Sequence, residues 1–151
     1  MSNELLLVAL ATMMPISELR GAIPLGASLG IDLTVLIPLV FIINCLIFFP
    51  IYFGLNLFYE KIFSKWEITH RIFGRIRRKG SKYIEKYEIL GLAVFVGIPL
   101  PVTGVWSGTV LAWMLGLDWK KSFISISLGV VLATTIVSLF TLGFLNGLGI
   151  I

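Results

Sequence analysis

Charge is what this sequence has least of. Of its 151 residues, 13% are Asp, Glu, Lys or Arg, against about a quarter in an ordinary soluble domain. Hydrophobic residues make up 58% and mean hydropathy is +1.00, a balance that excludes a water-soluble globular domain. A single cysteine, Cys45, excludes an intrachain disulfide and a thiolate metal site. With His70 the one histidine, no metal and no cofactor are expected, and no nucleic-acid partner either. The N-terminus, MSNELLLVALATMM, lacks the basic region of a secretory signal, so it is read as part of the mature fold.

What the chain has instead is long uncharged runs: Leu33 to Tyr59, Ile89 to Leu117 and Ser122 to Ile151. Each exceeds the ~20 apolar residues that cross a bilayer. The cations are concentrated. Nine of twelve (Lys61, Lys65, Arg71, Arg75, Arg77, Arg78, Lys79, Lys82 and Lys86) fall between Phe58 and Ile89, which assigns this segment to the cytoplasm by the positive-inside bias. Ile62, Trp66, Phe73 and Ile76 recur at helical spacing, predicting a basic amphipathic helix on the membrane surface that Gly80 interrupts. A solvated cytoplasmic loop explains this charge better than specific lipid binding, and His70 reads as part of its polar face.

An offset of 86 residues lays PISELRGAIPLGASLGIDL, from Pro15, over PVTGVWSGTVLAWMLGLDW, from Pro101. Five positions are identical, among them Pro15 with Pro101, Gly30 with Gly116 and Asp32 with Asp118. Each unit is an apolar run, a cluster of proline, glycine and polar residues, a second apolar run ending Leu-Gly-x-Asp, and a span-length segment.

Four complete crossings would put Lys120 and Lys121 opposite the basic segment, against the positive-inside bias. If each cluster turns the chain back inside the membrane, both lysines return to the cytoplasmic side. The expected fold is therefore an all-α integral membrane protein in one domain. Two inverted repeats, 4–57 and 89–147, each contain a re-entrant helical hairpin and one full transmembrane helix, and the basic segment 58–88 joins them. Both termini are then outside. The predicted breaks are Pro15, Gly21, Pro24, Pro99, Pro101, Gly104 and Gly108, since proline lacks a helical donor and glycine admits tight turns or close packing. Irregular backbone at membrane depth must be buried in protein or line water, so the two tips are expected to face each other, in a homo-oligomer, a dimer by preference.

Two charges, Glu18 and Arg20, are embedded in the first tip. An ionised group at the bilayer centre costs at least ~2.5 kcal/mol, which argues for pairing, hydration or use. Residues two apart on a regular helix point away from each other, whereas in a non-helical turn they can pair. The equivalent positions in the second tip are Gly104 and Trp106, where Thr103, Ser107, Thr109 and the Trp106 indole supply hydrogen-bonding groups. The candidate substrate or proton site is thus Glu18, Arg20, Ser17, Thr103, Trp106 and Ser107, against a structural reading in which Glu18 and Arg20 pin the hairpin and hydroxyls bond to their own helices. Exposed helix N-termini at the tips would favour an anion. Asn44, in the first span, is assigned to packing.

PISELRGAIPLG, IPLPVTGVWSGTVLA and LGLDWKKSF resemble the small multidrug export protein family of prokaryotic integral membrane proteins over nearly the whole chain. The resemblance implies an ELRG motif at Glu18 to Gly21, a PLPxTGxW motif at Pro99 to Trp106, a plasma-membrane location and export of toxic small molecules. The layout is also similar to the DedA superfamily, which implies proton-dependent translocation of polyprenyl-phosphate or another lipid, although the arginines flanking its second-hairpin proline have no match in Val102 to Thr109. The reading that follows is a transporter of small amphipathic compounds, proton- or ion-coupled, with anionic-lipid translocation as the alternative. A membrane enzyme lacks a nucleophile and base in reach beyond Ser17 near Glu18; an assembly module remains as a third class.

Overall fold

The structure is a computed structural model, and it describes residues 2–58, 88–100 and 103–147. Among these residues there are helices and no strands: α1 (Ser2–Met13), α2 (Glu18–Ser28), α3 (Leu33–Phe58), α4 (Glu88–Gly97), α5 (Val105–Leu115) and α6 (Trp119–Gly147). The expected amphipathic helix around Ile62, Trp66, Phe73 and Ile76, its interruption at Gly80, and His70 and Pro101 lie outside the described residues.

Element lengths follow the distribution of charge and proline. The 26 residues of α3 and 29 of α6 correspond to about 39 and 44 Å of helix at ~1.5 Å per residue, enough to cross a hydrocarbon layer ~30 Å thick. The other four have 10 to 12 residues, about half that thickness. The chain is a membrane protein with two helices long and apolar enough to cross the bilayer, and among the described residues the order short, short, long occurs twice.

The recurring Leu-Gly-x-Asp signature has a local explanation. Gly30 and Gly116 take left-handed φ values of 75° and 71°. Ile31 N–H donates to Gly26 C=O and Gly30 N–H to Ala27 C=O, each at 3.0 Å; Leu117 and Gly116 repeat this with Ala112 and Trp113. Each pair of bonds closes a helix end by the two-bond left-handed cap for which glycine is favoured. The aspartate two residues on then starts the long helix: Asp32 Oδ1 accepts from the Thr34 hydroxyl and backbone N–H at 2.7 and 2.8 Å, and Asp118 Oδ2 from the N–H groups of Lys120 and Lys121. Glycine ends one helix, aspartate begins the next, and α3 and α6 start 86 residues apart.

Packing joins the two halves. Helix α4 lies along α6, where Gly129 lets the backbones approach: a Cβ there would stand 2.7 Å from the Ala93 carbonyl oxygen. Gly108 of α5 is pressed against Val96 of α4 in the same way, and Gly26 of α2 against Leu36 of α3. Three of the expected breaking residues, Gly21, Pro24 and Gly108, lie inside helices; among the described residues the chain is interrupted at 14–17, which holds Pro15, and at 98–100 and 103–104, which hold Pro99 and Gly104. Gly21 and Gly108 serve contact rather than turning, and α2 runs through Pro24 at the cost of one backbone donor. The core is apolar, with Val8, Ile23, Leu36, Phe48, Val96, Ile126 and Val130 buried. At the far end of α3, Tyr52 donates its hydroxyl to Leu117 C=O at 2.6 Å, and Trp113 donates its indole N–H to Asn56 Oδ1 at 2.8 Å.

Two predictions follow from the caps. Gly116→Ala forces a Cβ into left-handed backbone and is expected to cost about 1 kcal/mol, whereas Gly143→Ala, with open space around its Cα, is expected to raise stability through helix propensity; melting temperatures in detergent read both signs. The Thr34 hydroxyl and then its N–H hold the Asp32 carboxyl below its usual range. That stabilisation is complete above the ordinary aspartate value and is lost as pH falls through the lowered one, so Asp32→Asn should flatten the acid limb of a melting-temperature profile.

Candidate functional site

The two interruptions meet. Glu18 opens α2 with φ 44°, a left-handed conformation that costs a non-glycine residue about 1 kcal/mol or more. The departure from helical geometry turns its side chain back toward Arg20, and Arg20 Nη1 donates to Glu18 Oε2 at 2.9 Å. This resolves how two residues two apart form an ion pair at the start of a helix. The Glu18 side chain is 4% exposed and that of Arg20 15%.

The second interruption receives both charges with backbone. Glu18 Oε1 accepts from Trp106 N–H at 3.2 Å, in the first turn of α5, where free donors and the positive end of the helix dipole favour a carboxylate. Arg20 Nη2 lies among carbonyl oxygens at and beyond the end of α4, 3.3 Å from that of Val96 and 3.0 Å from that of Ile98, and also meets the carbonyl of Thr103. A guanidinium there complements the negative end of a helix. One side of the pair thus caps an N-terminus and the other a C-terminus.

Room for the carboxylate comes from Gly104. A methyl group in its place would collide with Glu18 Oε2. The N–H of Gly104 donates to Ser107 Oγ at 2.9 Å, a side-chain cap that fixes the start of α5. Thr103 Oγ1 donates to Ile98 C=O at 2.6 Å and braces the loop that presents the carbonyls to Arg20.

Between the interruptions lies a cavity of about 350 Å³ lined by Glu18, Arg20, Thr103, Trp106 and Ser107, with Pro15, Ile16 and Gly104 completing its wall. Five of the six candidate site residues therefore share one space. Ser17 stands apart from it, with its hydroxyl against the Gly21 backbone. Pro99 lines a neighbouring groove. The Trp106 contribution differs from expectation: its backbone N–H holds Glu18, while indole Nε1 is buried without a partner. Several hydroxyls bond to their own helices, Thr12 to Val8, Thr109 to Val105 and Ser125 to Lys121, and the Asn44 amide does the same with Val40 C=O at 2.9 Å. The carbonyls of Val96 and Ile98 were not legible as partners, because any sequence presents backbone. The one hint was Pro99, which leaves a carbonyl of the preceding turn without its donor. Among the described residues no group of His, Cys, Asp and Glu is placed to hold a metal ion.

The steric argument predicts a coupling. Gly104→Ala is expected to lower stability in detergent by more than about 1 kcal/mol in the native background, and to cost little once Glu18→Ala has removed the obstructing carboxylate. A double-mutant cycle on melting free energies reads the difference; strictly additive losses would refute the contact.

Comparison with known proteins adds one match. A family model described as a small multi-drug export protein, a description in which export is itself conjectural, matches residues 18–136. The match starts at Glu18, directly after the first interruption, takes in the second and reaches well into α6. No curated protein and no solved structure matches the chain. With more than half of its length matched, including Glu18, Arg20 and the second interruption, the chain belongs to the small multidrug export protein family.

Proposed function

We propose that this protein is a membrane transporter, exporting small amphipathic compounds in exchange for protons or another ion, with its site in the chamber between the two helix interruptions. One observation carries the reading: an ion pair enclosed in a membrane chain where short helices end, held by backbone groups at and beyond the helix termini and by the Thr103 hydroxyl. Charged groups at such depth are costly and mark substrate or ion pathways, and broken helices whose ends point at a site are a recurring transporter device. In this reading α1–α2 and α4–α5 are re-entrant hairpins entering from opposite faces, and the two halves are inverted repeats. Lys120, Lys121 and the basic segment are cytoplasmic, the termini are outside, and the protein acts in the plasma membrane of a prokaryote as a homodimer.

Glu18 is the proton or cation site and Arg20 the anion anchor. Facing Glu18 are Arg20 from its own helix and, from the second interruption, the Trp106 N–H and the hydroxyl-bearing Thr103 and Ser107; among the described residues no other ionisable side chain lines the chamber. Protonating Glu18 removes one member of the pair and frees the guanidinium, which changes how strongly α2 is tied to α4 and α5. A difference of that kind between two protonation states is what couples a proton to a conformational equilibrium. The alternative, translocation of an anionic lipid, draws on the same guanidinium.

Two measurements test this. In proteoliposomes under an imposed proton gradient, Glu18→Gln is expected to abolish proton-coupled movement of a naphthalene-bodied amphiphile, and Arg20→Gln to lower it about tenfold or more, with both variants monodisperse after purification. Unchanged flux in both would remove the site. For topology, Thr34→Cys and Lys120→Cys, in a Cys45→Ala background, are expected to react with an impermeant thiol reagent from opposite sides of the membrane. Labelling from one side would restore four complete crossings.

A further inference from the structure

Arg20 belongs to two spaces. Besides the chamber it shares with Glu18, its side chain helps to line a larger groove of about 860 Å³ between α2 and α6, with Leu25, Ser28, Phe140, Thr141 and Phe144 among the other lining residues. The size suits a drug-sized molecule, for which pockets run to ~300–1,000 Å³. Phe140 and Phe144 are 75% and 68% exposed, so the groove opens along the flank of α6.

Its polar character is one-sided. Arg20 is the charged residue of this wall, and among the described residues no carboxylate lines it; Glu18 faces the smaller chamber alone. The Ser28 hydroxyl is committed to Leu25 C=O at 2.8 Å. Arg20 is not saturated: Nη1 is on Glu18 and Nη2 among carbonyls, while its buried Nε has no partner among the described residues.

We propose that this groove binds a lipophilic organic anion, its apolar body between Leu25 and the two phenylalanines and its negative head at Arg20. The inference rests on the transport reading above and names the class of cargo held in the groove that adjoins its chamber through Arg20. The guanidinium is paired with Glu18 in the chamber, and in apolar surroundings its Coulomb interaction with a head group that takes the place of Glu18 is weakly screened, so a lipophilic cation of the same shape meets repulsion where the anion meets attraction, and the sign of charge becomes the basis of selection. The head group and Glu18 are alternative partners of one guanidinium, which joins the groove to the chamber without a further residue.

The experiment uses the full chain in nanodiscs of neutral phosphatidylcholine and a matched fluorescent pair, 2-naphthalenesulfonate and (2-naphthyl)trimethylammonium. The sulfonate is expected to bind about tenfold tighter or more, Arg20→Gln to abolish the preference, and Phe140→Ala with Phe144→Ala to weaken the sulfonate about tenfold. Both phenylalanines are exposed, so the double variant is expected to fold even if Arg20→Gln does not. Equal or tighter binding of the ammonium probe, or indifference to the phenylalanine pair, overturns the proposal. Loss of sulfonate binding on adding phosphatidylglycerol overturns it too, by showing a lipid headgroup to be the occupant; binding unchanged within about twofold supports the small anion. Selective anion binding without proton-coupled flux would sink the transport reading alone, and flux without charge preference would sink this inference alone.

Discussion

The structure depends on one charge-assisted clasp. Glu18 and Arg20 leave the start of α2 as a pair, and each ends on the helix terminus of matching polarity, the carboxylate on the first turn of α5 and the guanidinium on the carbonyls at and beyond the end of α4. Taking two ions out of water is expensive, and mutual attraction seldom offsets it unless their remaining lone pairs and protons are also bonded. Here the backbone supplies those bonds. The two interruptions complete each other: one holds charges with nowhere else to go, the other holds peptide groups left over from broken helices.

That complementarity explains the asymmetry between the halves. Where the first unit has Glu18, the second has Gly104, and Gly104 is the residue whose missing side chain admits the Glu18 carboxylate. Where the first has Arg20, the second has Trp106, whose N–H binds that carboxylate. A second acid or base at these positions would crowd the chamber and set like charges against each other. Similar element order with unlike side chains yields a donor and a receiver, which two identical units could not.

Much of this was legible in the sequence, for particular reasons. The two long helices followed from uncharged runs of span length, and the 86-residue offset followed from Gly30 with Gly116 and Asp32 with Asp118, because cap residues answer to local geometry and survive divergence elsewhere. Glu18 and Arg20 stood out because charge is scarce around them. Less legible was anything that backbone does. The carbonyls of Val96 and Ile98 carry no signature, and Trp106 suggested its indole while the peptide N–H makes the contact. Pro24 promised a break, yet its helix continues, since a missing donor can be tolerated where neighbours hold the segment in place. That Tyr52 and Asn56 reach Leu117 and Trp113 is a tertiary fact that no local pattern announces.

The short corners after Gly30 and Gly116 have a consequence for motion. Each joins its helices through a few residues already committed to caps on both sides, so α2 with α3, and α5 with α6, behave as rigid elbows. The other ends of α2 and α5 carry no such double cap and meet at the clasp. In the transport reading proposed above, a working cycle would pivot at the clasp itself, and Glu18 and Arg20 would serve as hinge as well as site.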